Sequence, residues 1–353
     1  DATAYHLAVA EMYAHIHDTH GFVNSEVLSE PFGVASSPLY LRWIEDAPVV
    51  AGFYDEEAAR AAGIEIGDIV LGIDGEDALE RVHRYAKYIA ASTPQALMMR
   101  AVDLILSGPT ETAASLKVEG RDGQTRTVEV PRRPDYRQGF TYRTGDVLRL
   151  LDGNIGYADL DRLTTAQVTE MFERFKDTEA IIFDMRGYPN STAYSIASYL
   201  ADEPGKGAAL TDRPMLLGPG EWGRQTFTFT QHIPAPGPEV TRYTGKTVML
   251  IDERAISQAE HSGLFFEAAN ETVFIGSHTN GADGDVTNFS VPGGILLYFT
   301  GQSVRHVDGR PLQRLGLVPD VDVKPTVEGI RAGRDEVLEA ALVYLAGVLD
   351  SQQ

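Results

Sequence analysis

The stretch Thr247-Val248-Met249-Leu250-Ile251-Asp252-Glu253-Arg254-Ala255-Ile256-Ser257-Gln258-Ala259-Glu260 decides the fold. Its apolar run lacks the alternation of a half-exposed strand, so TVMLID (247–252) predicts a strand covered on both faces. Ser257 then opens an amphipathic helix over 257–269. A strand turning into a helix is half of a crossover unit, and its junction has chemical consequences. Amide N–H groups without helical partners and the positive end of the helix dipole point outward there. A hydroxyl at 257 can attack a carbonyl, and the N–H of Gln258 can hold the resulting oxyanion. The same residues also fit a plain helix start, with Ser257 as N-cap and Glu260 completing a capping box. Locally both readings stand.

Outward from this stretch, strand and helix patterns alternate. The strand NIGYADL (154–160) leads to a helix over 164–176. The buried strand AIIFDM (180–185) leads to a helix over 191–202, and the strand TVFIG spans 272–276. A hairpin-like stretch follows near 286–307, and a final helix spans 334–349. This alternation predicts an α/β core of parallel strands with crossover helices. A second strand-to-helix turn, Phe183-Asp184-Met185-Arg186-Gly187-Tyr188-Pro189-Asn190-Ser191, exposes amides that would form the rest of an oxyanion hole, or is an ordinary βα loop.

Upstream, residues 1–18 have helical spacing at Leu7, Val9, Met12, Tyr13 and Ile16, and Gly21 is read as the stop. Residues 24–133 read as mostly β. Ala61 to Gly75 contains a short helix ending at Gly63, a Gly67-Asp68 turn, the strand IVLGI and an Asp74-Gly75 hairpin signal. A hairpin around Arg121-Asp122-Gly123 closes the region, and PRRPD (131–135) reads as a linker. The expected units are 1–23, a helical segment that contributes to the active site, then 24–133 and 134–353.

The net charge of −21 argues against nucleic acid, which demands a basic face, and the sequence contains no cysteine. Disulfides, thiolate metal sites and a cysteine nucleophile are therefore excluded, and neither cofactor nor metal is expected. Acidic, glycine-rich Asp283-Gly284-Asp285 reads as a turn. No apolar run is long enough to span a bilayer. The opening residues lack a signal-peptide pattern and start in mid-helix, as expected of a processed or truncated chain.

Gly63 to Gly75 resembles the Gly-x-x-x-Gly-Asp turn and following strand of PDZ domains. Ser36-Ser37-Pro38-Leu39-Tyr40-Leu41 matches their carboxylate loop poorly. Downstream, the chain resembles the C-terminal-processing (tail-specific) and tricorn-type serine peptidases. Their Asp-(Leu/Val)-Arg-x-Asn-Pro-Gly-Gly turn is matched by Asp184 to Ser191, and their Ser-Ala-(Ser/Gly)-Glu box by Ser257 to Glu260. Their Val-Gly-x-x-Thr-x-Gly turn is matched by Ile275 to Gly281, and their Gly-(Ile/Val)-x-Pro-Asp segment by Gly316 to Asp320. The Gly-x-Asp helix start corresponds to Gly333-Arg334-Asp335. The resemblance implies a crotonase/ClpP-like core with a preceding or inserted PDZ-like domain. It also implies Ser257 as nucleophile, with Gly187, Asn190 and Gln258 around the oxyanion.

Two departures stand out. The family's lysine base position is Ala282, none of the six lysines lies near these motifs, and Asn190-Ser191 replaces Gly-Gly. The tricorn-type branch takes a histidine from an N-terminal (Ser/Thr)-His pair, matched by Thr19-His20. Its orienting acid falls near Gln313, which is neutral but able to fix an imidazole tautomer. His20 is therefore the expected base and Gln313 its orienter, with His261 and His278 as alternative bases. The expected activity is that of a serine endopeptidase acting on peptides or unfolded proteins in the periplasm or cell envelope, with the cytosol as the alternative. A catalytically inactive peptide-binding relative and a serine esterase remain as other readings.

Overall fold

The computed structural model describes residues 1–216, 224–238 and 240–351. Its centre is a six-stranded sheet, and the apolar runs legible in the sequence form its middle. Ile155–Asp159, Ala180–Asp184, Lys246–Ile251, Val273–Gly276 and Val321–Asp322 lie parallel, and Leu148–Leu151 adds an antiparallel edge. Every residue of Ala180–Asp184 is buried, as a strand with helices on both faces requires. Helices Val168–Phe175, Ala193–Leu200 and Gln258–Asn270 cover one face around Phe175, Phe183 and Phe266. Helix Glu336–Asp350 covers the other through Val337, Ala341 and Leu345. The expected α/β core is present. Its helices are shorter than expected at 164–176 and 191–202, because Thr165–Gln167 is a 3-10 turn and Thr192 precedes the second helix.

Residues 39–131 build a second, antiparallel sheet of Leu39–Ile44, Ala47–Phe53, Ile69–Ile73, Ala113–Glu119 and Thr125–Pro131, with Glu76–Asp77 paired to the third. The Asp74-Gly75 turn forms as read, both residues having positive φ. Helices Ala78–Ala86 and Pro94–Leu104 close a separate apolar core around Leu116 and Ile105. PRRPD is not the free linker it resembles in sequence. Pro131 ends a strand, and the buried Arg132 bonds Leu106 O and Ala113 O and pairs with Asp74. A guanidinium so placed binds the segment to the sheet.

The first helix is Ala2–Ala14, ending four residues before the expected 18. Gly21 is not its cap. It sits where a Cβ would lie 2.6 Å from Ile16 Cδ1 and 2.7 Å from Asp18 O. The hairpin expected near 286–307 forms from Val286–Val291 and Ile295–Thr300, and Phe22–Asn24 adds a third strand to it. The long antiparallel pair Gly207–Leu216 with Arg224–His232, joined by Ser303–His306, had no counterpart in the sequence reading.

Candidate active site

Ser257 stands between the strand Lys246–Ile251 and the helix Gln258–Asn270, with φ 55° and ψ −118°. An ordinary N-cap is extended, so capping alone leaves this conformation unexplained. A non-glycine residue there is strained and persists only where its surroundings impose it. Here they do. The Ser257 amide donates to Ala282 O at 2.8 Å and to Glu260 Oε2 at 3.3 Å. Glu260 is fully buried and also receives Thr279 Oγ1 at 2.5 Å, Gly281 N at 2.7 Å and Ala282 N at 2.9 Å. Burial pushes its carboxyl up to about 7, against the pull of these donors.

His20, the expected base, lies in the loop after the first helix. Thr19 and Ser92 exchange hydrogen bonds, Thr19 N to Ser92 Oγ at 2.9 Å and Ser92 N to Thr19 Oγ1 at 2.8 Å. Arg100 donates to Gly21 O. The residues after Ser92 hold the other loop: Thr93 Oγ1 donates to Asn280 O and Gln95 Nε2 to Thr279 O. Residues 92–95 thus brace both the histidine loop and the turn that receives the Ser257 amide.

The imidazole partner is Thr300. His20 Nδ1 lies 3.0 Å from Thr300 Oγ1, which donates to Asp18 Oδ1 at 2.7 Å. A carboxylate only accepts, so the hydroxyl proton points at Asp18 and its lone pair faces Nδ1. The proton is therefore on Nδ1, and Nε2 carries a free lone pair. Gln313, the expected orienter, does not bond the ring. Its Nε2 reaches Asp18 Oδ1 at 3.4 Å, one step behind Thr300. Asp18 and Thr300 were missed in the sequence because their juxtaposition depends on the sheet holding Ile295–Thr300. Burial holds His20 below the usual imidazole range, outweighing the opposing charges of Asp18 and Asp283.

The other candidates separate clearly. His261 Nδ1 lies 2.8 Å from Asp283 Oδ2, and among the described residues its buried Nε2 has no partner. The ring packs on Phe265 and faces Tyr194. His278 is exposed and its Nδ1 lies 3.5 Å from Leu315 O, a contact to backbone rather than to an acid. In the second turn the Gly187 amide closes onto Met185 O at 2.8 Å. Gly187 is therefore not the free oxyanion donor expected. The Asn190 side chain is engaged with Asp161 O and Leu163 O. Gln258 lies at the first helical position, where an amide has no helical acceptor, and its side chain reaches Ser191 Oγ at 3.2 Å.

Below both turns lies a buried charge network. Arg186 clamps Asp184 and, with both terminal nitrogens at 2.7 Å, Asp335 at the start of the last helix. Asp252 is held by Arg254 and Arg42, the latter from the antiparallel sheet. These guanidiniums hold Asp184 and Asp252 ionised far below the ordinary carboxylate range, despite burial. Among the described residues no cluster of His, Asp or Glu side chains is placed to hold a metal ion. None of the described helices is long and apolar enough to cross a membrane.

A strained serine opening a helix at the end of a parallel strand, above a sheet of this connectivity, has the layout of a serine hydrolase. Residues 154–323 match the model of peptidase family S41. The match takes in the parallel strands of the central sheet and the turns around Ser257, and it likens that part of the chain to the S41 peptidases. Mature CPAF in complex with lactacystin superposes with a TM-score of 0.66 at 16% identity, over 98% of this chain and 88% of that one. The photosystem II D1 C-terminal processing protease gives a TM-score of 0.49 at 17% identity, covering 94% and 86%. The tricorn protease gives 0.40 at 16%, covering 95% of this chain and 31% of its own. No curated protein matches the sequence.

Proposed function

We propose that the protein is a serine endopeptidase in which Ser257 attacks the scissile carbonyl and His20 takes its proton through Nε2. In the family's lysine position stands Ala282, whose carbonyl instead receives the Ser257 amide. One observation carries the reading: the His20 loop and the 279–282 turn that receives the Ser257 amide lean on a common brace, residues 92–95. The Thr300–Asp18 pair would hold the imidazole in the tautomer a general base needs and stabilise the imidazolium formed. The Gln258 amide would receive the oxyanion, with protonated His20 returning its proton to the leaving amine.

Residues 24–133 would act as a PDZ-like unit that takes extended peptide along the edge strand Leu39–Ile44. A cavity of about 350 Å³ lies between that strand and helix Pro94–Leu104, which favours this assignment. The peptide-holding but inactive alternative draws on the engaged Gly187 amide and the loss of Gly-Gly at 190–191. A fluorophosphonate probe separates the two. Labelling of the intact chain that disappears in Ser257→Ala and falls sharply in His20→Ala supports the peptidase, and no labelling at any pH overturns it. Peptide against simple ester substrates then distinguishes a peptidase from an esterase.

A further inference from the structure

Glu260 is a buried carboxylate with no cation against it among the described residues. Its two oxygens receive four donors: Thr279 Oγ1 and Gly281 N on Oε1, Ala282 N and Ser257 N on Oε2. Thr279 Oγ1 itself accepts from Leu317 N at 2.7 Å, so its proton is directed to Glu260. Every contact is therefore a donor pointing inward, and a proton on either oxygen displaces one of them. The charges around it are few. Asp283 is the charge that acts on it, and is itself paired with His261. From the 312–317 segment, Arg314 turns away to Ile16 O and His17 O, and His278 is exposed. In the loop before the helix, Glu253 and Arg254 pair with Arg42 and Asp252.

We propose that Glu260 is a positioning residue: its unprotonated carboxylate holds the strained Ser257 turn and the 279–282 turn in one geometry, and reactivity of Ser257 requires it. The inference rests on the nucleophile assignment above. Protonation releases one of the two turns, freeing Ser257 to relax from its positive φ and shifting the Asp283 loop that faces His20. The carboxyl titrates near neutrality, whereas His20 titrates below its ordinary range, so the two groups leave separate marks on a pH profile.

The test is the rate of fluorophosphonate labelling of the full chain across pH. The wild type should lose reactivity on acidification in a limb near 7, above the limb due to His20. Thr279→Val removes one donor from the carboxylate and should move that limb to higher pH, and Thr279→Ser should restore it. Glu260→Gln places an amide N–H against inward-pointing donors and should slow labelling roughly ten- to a hundredfold and abolish the upper limb. Circular dichroism shows whether each variant folds, and if Glu260→Gln does not, Thr279→Val decides. A folded Thr279→Val with an unmoved limb, or a wild type with no limb near 7, overturns the inference while leaving Ser257 as nucleophile. Absence of labelling in the wild type at every pH removes the nucleophile and this role for Glu260 together.

Discussion

Replacing Thr300 by valine tests the base assembly most directly, because the two side chains have nearly the same shape. The change removes the hydroxyl that sits 3.0 Å from His20 Nδ1 and 2.7 Å from Asp18 Oδ1. Asp18 keeps the amides of Thr300 at 2.6 Å and His20 at 3.0 Å, so its carboxylate stays satisfied. The loss falls on the imidazole, whose Nδ1–H is left buried without a partner. An orphaned buried donor costs about 1–3 kcal/mol. Here that cost attaches to the tautomer needed for proton abstraction, so the acylation rate should fall roughly five- to a hundredfold. The opposite tautomer, with its proton on Nε2, escapes the cost but cannot deprotonate Ser257. Single-turnover acylation of Ser257 by an activated ester reads this step, with the saturating acylation rate falling and the substrate concentration for half-saturation nearly constant. Thr300→Ser should recover most of the rate. A folded Thr300→Val that acylates within twofold of wild type would refute the role given to this hydroxyl, and with it the Asp18–Thr300–His20 chain.

Further expectations concern pH and stability. Burial lowers the His20 pKa, so the acid limb due to this base should lie below the ordinary imidazole value of about 6.5, and His20→Ala should abolish that limb in a labelling profile. The same lowering means the unfolded chain takes up the proton first, so the contribution of His20 to stability is lost as pH falls through about 6.5, readable by urea melts across that range. Arg186→Ala leaves Asp184 buried without its main partner and should cost about 3–5 kcal/mol in urea denaturation. Because Asp184 is held far below its unfolded value, its stabilisation is full above about pH 4 and declines only under stronger acid. Gly276→Ala would set a Cβ 2.0 Å from Ile251 O at a φ of +134°, and should destabilise by about 1–3 kcal/mol or more while slowing labelling of Ser257, since Ile251 ends the strand that leads to it.

The central sheet was legible because strands covered on both faces must be apolar throughout, and IIF and VML are such runs. The strand-to-helix position of Ser257 followed from the same reading. Its left-handed φ did not, because serine has no local preference for it and the conformation is imposed by Ala282 and Glu260. Likewise Thr19-His20 was findable as a pair, but Thr300 and Asp18 gain their roles only when Ile295–Thr300 pairs with Phe22–Asn24. The hairpin Gly207–Leu216 with Arg224–His232 escaped notice for a different reason. Its outer strand does alternate over Thr226-Phe227-Thr228-Phe229-Thr230, but Phe227 faces solvent rather than a core, and Pro214 in the partner strand argues against a strand there. PRRPD misled because proline and arginine are typical of linkers, while the contacts that bury Arg132 lie well outside the motif.

The reciprocal pair of Thr19 and Ser92 carries a consequence for biosynthesis. The imidazole and its brace emerge during synthesis well before Thr300, the hydroxyl that orients the ring, and Ser257, the serine it would serve. The proposed base therefore has neither nucleophile nor orienting partner until the later strands have docked. The proposed chemistry is assembled only by the folded core, which would keep it from the growing polypeptide.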